Sequence, residues 1–264
     1  LSKPFGLVSR YIFRIPSEYF SVFLIGSIGG YPVGAKLLSE LYENGKIDKG
    51  TAEQMLSYCY LAGPAFICGI AGIKLFSSVK VGLIIFAAII SSNLVIAAVS
   101  GFRRPVPPKS KTSVKIDMSP EKLISSVYGG AKGMLSICAI IVFFSTIICI
   151  LDKLGALVFI SQKLSDLTGM KYSDANAAVR SVIEISNISS LSSGDRSLMP
   201  LAASLLSFGG ICVLMQIKGF LKGNLSAKRF YYFRILATFI SYFLCKLYVE
   251  IFDPPLIQTI VHNV

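Results

Sequence analysis

Long runs of apolar residues, separated by short polar stretches, dominate this chain. Residues 81 to 99 and 230 to 248 are continuous, predominantly apolar spans, each close to the length of about 20 residues that a membrane-spanning helix needs. A third helix is predicted over residues 121 to 151, which begin with small residues and become almost wholly apolar from Met134. The pattern therefore predicts an all-α, polytopic membrane protein.

The first residues follow a different pattern. Apolar side chains recur at helical spacing with arginines between them over residues 5 to 15 (Phe5, Val8, Ile12 and Ile15; Arg10 and Arg14). Such spacing is typical of a basic amphipathic helix that lies in the membrane interface. Pro16 is expected to end it.

Glycine and proline interrupt two apolar runs in the first part of the chain. The candidate solute contacts here are Gly29, Gly30, Tyr31, Pro32 and Gly34 in the first break, and Gly63 and Pro64 in the second. Pro64 should break its helix near Gly63 and leave free N–H groups near Ala65, where the positive end of a half-helix suits an anion. In lipid, broken backbone occurs only where it is buried in protein or lines a cavity. The alternative is that the glycines merely allow close helix packing and the proline makes a structural kink.

Two further breaks lie in the second part of the chain. The candidate contacts are Glu184, Ser186, Asn187 and Ser189 in one break, and Gly209, Gly210 and Gln216 in the other. A carboxylate between two isoleucines is costly in a membrane and usually functional. The alternatives are an ion pair between Glu184 and Arg180, one helical turn earlier, and interhelical hydrogen bonds for the serines and Asn187.

The two halves follow the same order, with two broken segments and then an unbroken span. Basic residues end the first span at Arg103 and Arg104 but begin the last at Lys228 and Arg229. If both clusters are cytoplasmic, the two spans run in opposite directions. We therefore predict two inverted repeats, residues 1–101 with the interfacial helix and residues 121–264, joined by a basic cytoplasmic linker over residues 102–120. Breaks at matching positions of inverted halves indicate a midplane binding site in a transporter.

Composition agrees with a membrane protein. Of 264 residues, 53% are hydrophobic and 15% are charged, well below the roughly 25% charged residues of soluble domains. The net charge of +12 is best explained by cytoplasmic loops, and we expect no nucleic-acid partner. No catalytic triad, carboxylate pair or metal-ligand pattern is evident, so we expect no enzyme activity, cofactor or metal. The sequence begins at Leu1, and we expect an upstream segment.

Three motifs together resemble a known family. They are Gly29-Gly30-Tyr31-Pro32-x-Gly34-Ala35-Lys36, Gly63-Pro64-x-Phe66 with Gly69, and Phe208-Gly209-Gly210-x-x-Val213-x-x-Gln216. The chain resembles the YlbJ/SpoVV-type sporulation integral membrane proteins, which carry the "nucleoside recognition" Gate domain. The segment that begins at Glu184 departs from the family pattern. The resemblance implies transport of dipicolinate, a planar dianion, across the mother-cell-derived membrane around the forespore.

The sequence leaves other functions open. The alternatives are a sporulation membrane scaffold or regulator that transports nothing, and a Gate-type transporter of nucleosides or metal ions. The expected partners are the lipid bilayer and a small anionic solute, and a coupling cation and a second copy of the chain are further candidates.

Topology provides a first test. Cysteines introduced at Lys109 and Val264 should react with impermeant thiol reagents from opposite sides of the membrane, because the linker is basic whereas the residues after Glu250 contain no lysine or arginine. Labelling of both from the same side would contradict the inverted repeat.

Overall fold

The computed structural model describes residues 7–102 and 119–252, apart from the side chains of Val8, Lys122 and Leu123. The helices are α1 Phe20–Gly29, α2 Val33–Glu43, α3 Lys49–Leu56, α4 Pro64–Phe66 (continued by a π-helix Ile67–Leu75), α5 Val79–Gly101, α6 Pro120–Lys153, α7 Ala156–Thr168, α8 Tyr172–Ile183, α9 Met199–Phe208, α10 Gly210–Phe220 and α11 Lys228–Phe252. The described part of the chain contains no strand. The predicted all-α fold is confirmed.

Four stretches of the described chain are long and apolar enough to cross a membrane. They are Val79–Gly101, Ile124–Lys153, Arg196–Phe220 and Lys228–Phe252. The α6 helix is the least buried of them, and large apolar side chains along its surface, such as Met134, Leu135 and Phe143, are exposed. Apolar surface of this extent belongs in contact with lipid.

Helix breaks occur in all four segments that the sequence predicts, at Gly30, Gly63, Glu184 and Gly209. The second break is wider than expected, because α3 ends at Leu56 and residues 57 to 63 are all non-helical. Pro64 occupies the first position of α4. The N–H of that position has no partner within a helix, so the missing N–H of proline costs no hydrogen bond there.

The interfacial helix predicted for residues 5 to 15 is wrong in its extent. Among residues 7 to 15, which the structure describes, a short π-helix covers Val8–Ile12 and ends before Phe13. Phe13 and Ile15, which follow it, are buried in the protein core. The Phe13 ring lies 5.5 Å from the rings of both Phe20 and Tyr58, so apolar packing against α1 and the second break determines its position.

The two long spans α5 and α11 pack antiparallel. Arg229 Nη2 donates to the Ser100 carbonyl at 2.9 Å at one end, and Ser92 Oγ donates to the Ala237 carbonyl at 2.8 Å further along. The opposite directions inferred from the basic clusters are therefore those of the structure. Residues 103 to 118 and 253 to 264, which hold the basic linker and the tail, lie outside the described residues.

The loop after α10 lies at the same end of the bundle. Lys222 N donates to Ser39 Oγ of α2 at 2.8 Å, and Ser226 N donates to Glu53 Oε1 of α3 at 2.8 Å. The end of the bundle that carries Arg229 is thus also the end that carries Lys222 and Lys228, and the positive-inside rule predicts that this end faces the cytoplasm.

One glycine allows α2 to pack directly on the non-helical segment of the second break. A Cβ atom added to Gly34 would overlap the Cys59 carbonyl oxygen, and one added to Gly26 would lie 3.2 Å from Gly34 Cα. Gly34 therefore supports the alternative of close packing, because only a glycine permits this approach.

Gly34→Ala should lower the free energy of unfolding by about 1–3 kcal/mol, the usual cost of overpacking. Gly69→Ala is the matched control, because a Cβ atom there has no atom within 4 Å and alanine destabilises a helix less than glycine does. Thermal unfolding in detergent measures both variants. Equal melting temperatures for the two variants would contradict the close packing of Gly34.

Candidate functional site

A cavity of about 300 Å³ lies between the broken segments, and we call it the central cavity. It is lined by Ile28, Gly29, Gly30 and Tyr31 from the first break, Gly63, Ala65 and Phe66 from the second, Glu184, Ile185 and Ser186 from the third, Cys212, Val213 and Gln216 from α10, and Ile137 and Ile141 from α6. The wall is mainly apolar with a few polar groups, which is typical of a small-molecule site.

Half of the predicted contact residues line this cavity. They are Gly29, Gly30, Tyr31, Gly63, Glu184, Ser186 and Gln216. The structure thus brings together residues that lie up to 187 positions apart in the sequence.

The other predicted contacts lie outside the lining. They are Pro32, Gly34, Pro64, Asn187, Ser189, Gly209 and Gly210. Pro32 precedes α2, Ser189 lies in the 3₁₀ turn Ile185–Ser190, and Asn187 Nδ2 donates to the Glu184 carbonyl at 3.0 Å. These residues shape or support the wall, because their contacts are with other protein groups.

The first two breaks cross each other through backbone atoms. Gly30 has φ +74°, and a Cβ there would lie 2.7 Å from Gly63 N. A side chain at Gly30 would therefore be strained and would also clash. The crossing brings the backbone of both breaks to the cavity surface.

The fourth break has the same dependence on glycine. Gly209 and Gly210 have φ +83° and +80°. A Cβ at Gly209 would overlap the Tyr60 hydroxyl, and one at Gly210 would lie 3.1 Å from the Ser181 carbonyl oxygen. Both glycines therefore act in packing, against the second and third breaks respectively.

Two tyrosines connect the first two breaks to the end of α9. Tyr60 Oη donates to the Phe208 carbonyl at 2.9 Å, and Tyr31 Oη donates to the Leu206 carbonyl at 3.3 Å. Their rings are 4.8 Å apart. The last carbonyls of a helix have no partner within the helix, so these hydroxyls satisfy groups that the break at Gly209 leaves open.

Glu184 is the charged residue in the cavity wall, and its side chain is 2% exposed. Its carboxylate accepts from Ser186 N at 3.1 Å, from Asn187 Nδ2 at 3.2 Å and from Ser186 Oγ. These donors come from the 3₁₀ turn that directly follows Glu184, so the local fold holds the carboxylate in place.

The ion pair considered between Glu184 and Arg180 is wrong. Arg180 Nη2 lies 2.7 Å from Asp152 at the end of α6, and Arg180 Nε donates to Asn176 Oδ1 at 2.7 Å. Because α8 ends at Ile183, Glu184 no longer follows the helical spacing that the pair requires. Within the described residues, Glu184 has no cation within salt-bridge distance.

Sequence reasoning missed Arg234, which is fully buried near the start of α11, about two turns from Lys228. Its Nη1 donates to the Tyr60 carbonyl and its Nη2 to Asn93 Oδ1, both at 2.8 Å. Asn93 Nδ2 also donates to the Tyr60 carbonyl, at 2.9 Å. An arginine within an apolar run was the available signal, since intramembrane charges are rare and usually paired or functional.

The guanidinium also stacks on an aromatic ring, with Arg234 Cζ 4.8 Å from the centroid of Tyr60. Arg234 forms no ion pair with any residue that the structure describes. Arg234 contacts the non-helical second break on the side away from the central cavity, and Tyr60 and Tyr31 lie between Arg234 and that cavity.

The described residues contain no group of three or more histidine, cysteine, aspartate or glutamate side chains that could hold a metal ion. Gln216, which is buried, donates weakly through Nε2 to Cys212 Sγ at 3.5 Å. With Ser186 it is one of the neutral polar residues in the wall of the central cavity.

Arg234→Met should lower the free energy of unfolding by about 1–3 kcal/mol, because it leaves the buried Asn93 carbonyl without its donor. Lys246→Met removes a cation from an exposed position of the same helix and should change stability by at most about 0.5 kcal/mol. Chemical or thermal unfolding in detergent tests this. Equal effects of the two substitutions would show that Arg234 does not hold the second break.

Comparisons with known proteins support a membrane assignment. No family model matches the chain, and no solved structure matches it. Over 96 residues it is 31% identical to the sporulation integral membrane protein YlbJ of Bacillus subtilis (strain 168). That match covers 36% of this chain and 23% of the relative. Together with the four apolar stretches, this similarity identifies the chain as a multi-pass integral membrane protein.

Proposed function

We propose that this protein transports a small solute across the membrane and that the central cavity is its substrate site. The observation that carries the proposal is the position of the cavity, which lies where helices of both halves of the chain are interrupted. Interrupted membrane helices at a shared site are typical of secondary transporters. A pure scaffold would have no need of exposed backbone around a cavity.

The substrate that we propose is dipicolinate, carried during spore formation across the mother-cell-derived membrane. The partial similarity to a sporulation integral membrane protein supports this setting. The cavity offers apolar walls for a planar ring, with Phe66 and Tyr31 among them, and polar groups from Ser186 and Gln216.

Charge imposes a condition on the transport of a dianion. Like charges 4 Å apart repel by about 4 kcal/mol at an effective dielectric constant of about 20. With Arg180 bound to Asp152, that side chain does not neutralise Glu184. We therefore propose that a proton or a metal cation neutralises Glu184 when the anion binds, and that this couples solute entry to an ion gradient.

The substrate is tested by uptake into proteoliposomes that contain the purified protein. Dipicolinate, nucleosides and ferrous iron are offered in parallel, with protein-free vesicles as the blank. We expect uptake of dipicolinate. Uptake of nucleosides or iron instead would reassign the substrate, and absence of flux for every solute would favour the scaffold.

Glu184→Gln should abolish the dependence of dipicolinate uptake on a proton or cation gradient while solute binding remains, because the amide keeps the size of the carboxylate but has no charge to neutralise. Glu250→Gln, at an exposed position near the end of α11, is the control and should behave like the unmodified protein. The measurement is initial uptake with and without each gradient. Gradient-dependent uptake retained in Glu184→Gln would reduce Glu184 to a neutral lining residue.

A further inference from the structure

A second cavity, of about 740 Å³, opens beside the central cavity, and we call it the outer cavity. Its wall is formed by α2, α6, the last residue of α10 (Phe220) and Lys222 after it. The polar side chains that matter here are Lys36 and Glu40 of α2, Ser125, Lys132 and Ser136 of α6, and Lys222. The proposed substrate site in the central cavity includes none of these side chains.

The central and outer cavities are adjacent, because neighbouring residues of α6 and successive turns of α10 line first one cavity and then the other. On α6, the outer cavity reaches Ser136 and the central cavity begins at Ile137. On α10, Gln216 lines the central cavity and Phe220, one turn later, lines the outer one. A solute that left the central cavity along α6 would therefore enter the outer cavity.

The α6 wall has a polar face only along the outer cavity. Ser125, Gly129, Lys132 and Ser136 follow one another at steps of four, three and four residues, which places them on one side of a helix. Ile137 and Ile141 replace them at the central cavity. A lysine on an otherwise apolar membrane helix is costly unless it faces water or a partner, and the open outer cavity provides water.

Positive charge predominates in the outer cavity. Lys36 Nζ donates to the Gly129 carbonyl at 3.2 Å, and Lys222 Nζ pairs with Glu43 at 2.7 Å. Lys132 is exposed and forms no ion pair with any described residue. Three ammonium groups thus face two carboxylates, that of Glu40 in the wall and that of Glu43 on Lys222, so a net positive charge of one remains. The sign is opposite to that of the central cavity, where Glu184 provides the charge.

We propose that the outer cavity is a capture site for a small multivalent carboxylate anion, held chiefly by Lys36 and Lys132 before it enters the central cavity from the cytoplasmic end. This inference rests on the proposed function, since it assigns a second site to the same solute. Lysines concentrate anions at the entrance, and the anion then passes inward only when Glu184 has been neutralised. Ser125 and Ser136 offer hydroxyl donors beside the ammonium groups.

The test is initial dipicolinate uptake as a function of concentration, in proteoliposomes that contain full-length variants. Lys132→Gln and Lys36→Gln should each raise the KM by about two- to fivefold, in keeping with the strength of part-exposed charge pairs, and leave the maximal rate unchanged. Lys132→Arg should restore the KM because it keeps the charge. Lys153→Gln, exposed at the far end of the same helix, is the control and should have no effect.

The outcomes separate this inference from the function on which it rests. If the unmodified protein transports dipicolinate and the two lysine variants match Lys153→Gln, the capture site is overturned and the transporter stands. If no solute is transported, dipicolinate binding to the detergent-solubilised protein is measured by calorimetry. Binding that weakens in Lys132→Gln but not in Lys153→Gln supports the anion site without transport, and absence of binding overturns it.

The phosphate headgroups of anionic lipids are also anions that lysines bind. Uptake is therefore repeated in vesicles with and without phosphatidylglycerol. For a solute site, the effect of Lys132→Gln on the KM persists in vesicles of phosphatidylcholine alone. An effect that occurs only with phosphatidylglycerol assigns the lysines to lipid headgroups and overturns the capture of the solute.

Discussion

The non-helical backbone of residues 57 to 63 is the constraint on which the rest of the structure depends. Peptide groups outside a helix have no partners in hydrocarbon and must find them within the protein. The Tyr60 carbonyl accepts from both Asn93 of α5 and Arg234 of α11, so the two antiparallel spans together support the break. Arg234 remains in the core because its two amino groups donate there and its guanidinium stacks on Tyr60.

The supported second break packs closely, backbone against backbone, on the other breaks, and this packing forms the central cavity. Gly30 lies against Gly63, Gly209 lies against Tyr60, and Gly210 lies against the end of α8. Tyr60 and Tyr31 then complete the bonding of α9 where it ends. Each break thus stabilises another one, and the space left between them is lined partly by main chain. A cavity of this kind is formed by the packing of helix ends and needs no dedicated loop.

Charge is separated along the proposed route of the solute. Lysines line the outer cavity, whereas a buried carboxylate lies in the central one. An anion is attracted to the first and is repelled by the second unless Glu184 is neutralised, which is a physical basis for coupling. Arg234, behind two aromatic rings, is bound to Tyr60 and Asn93 and serves the architecture.

The sequence by itself determined the all-α membrane fold, the long spans and the approximate positions of the breaks, because apolar length, glycine, proline and polar serine-rich segments act locally on the chain. It also indicated the candidate solute contacts around the breaks, half of which line the central cavity. Only the tertiary structure decided which glycines pack against backbone, that Arg180 bonds to Asp152 and not to Glu184, and that Arg234 supports Tyr60. These contacts join residues up to 174 positions apart, and spacing along one helix carries no information about partners on another.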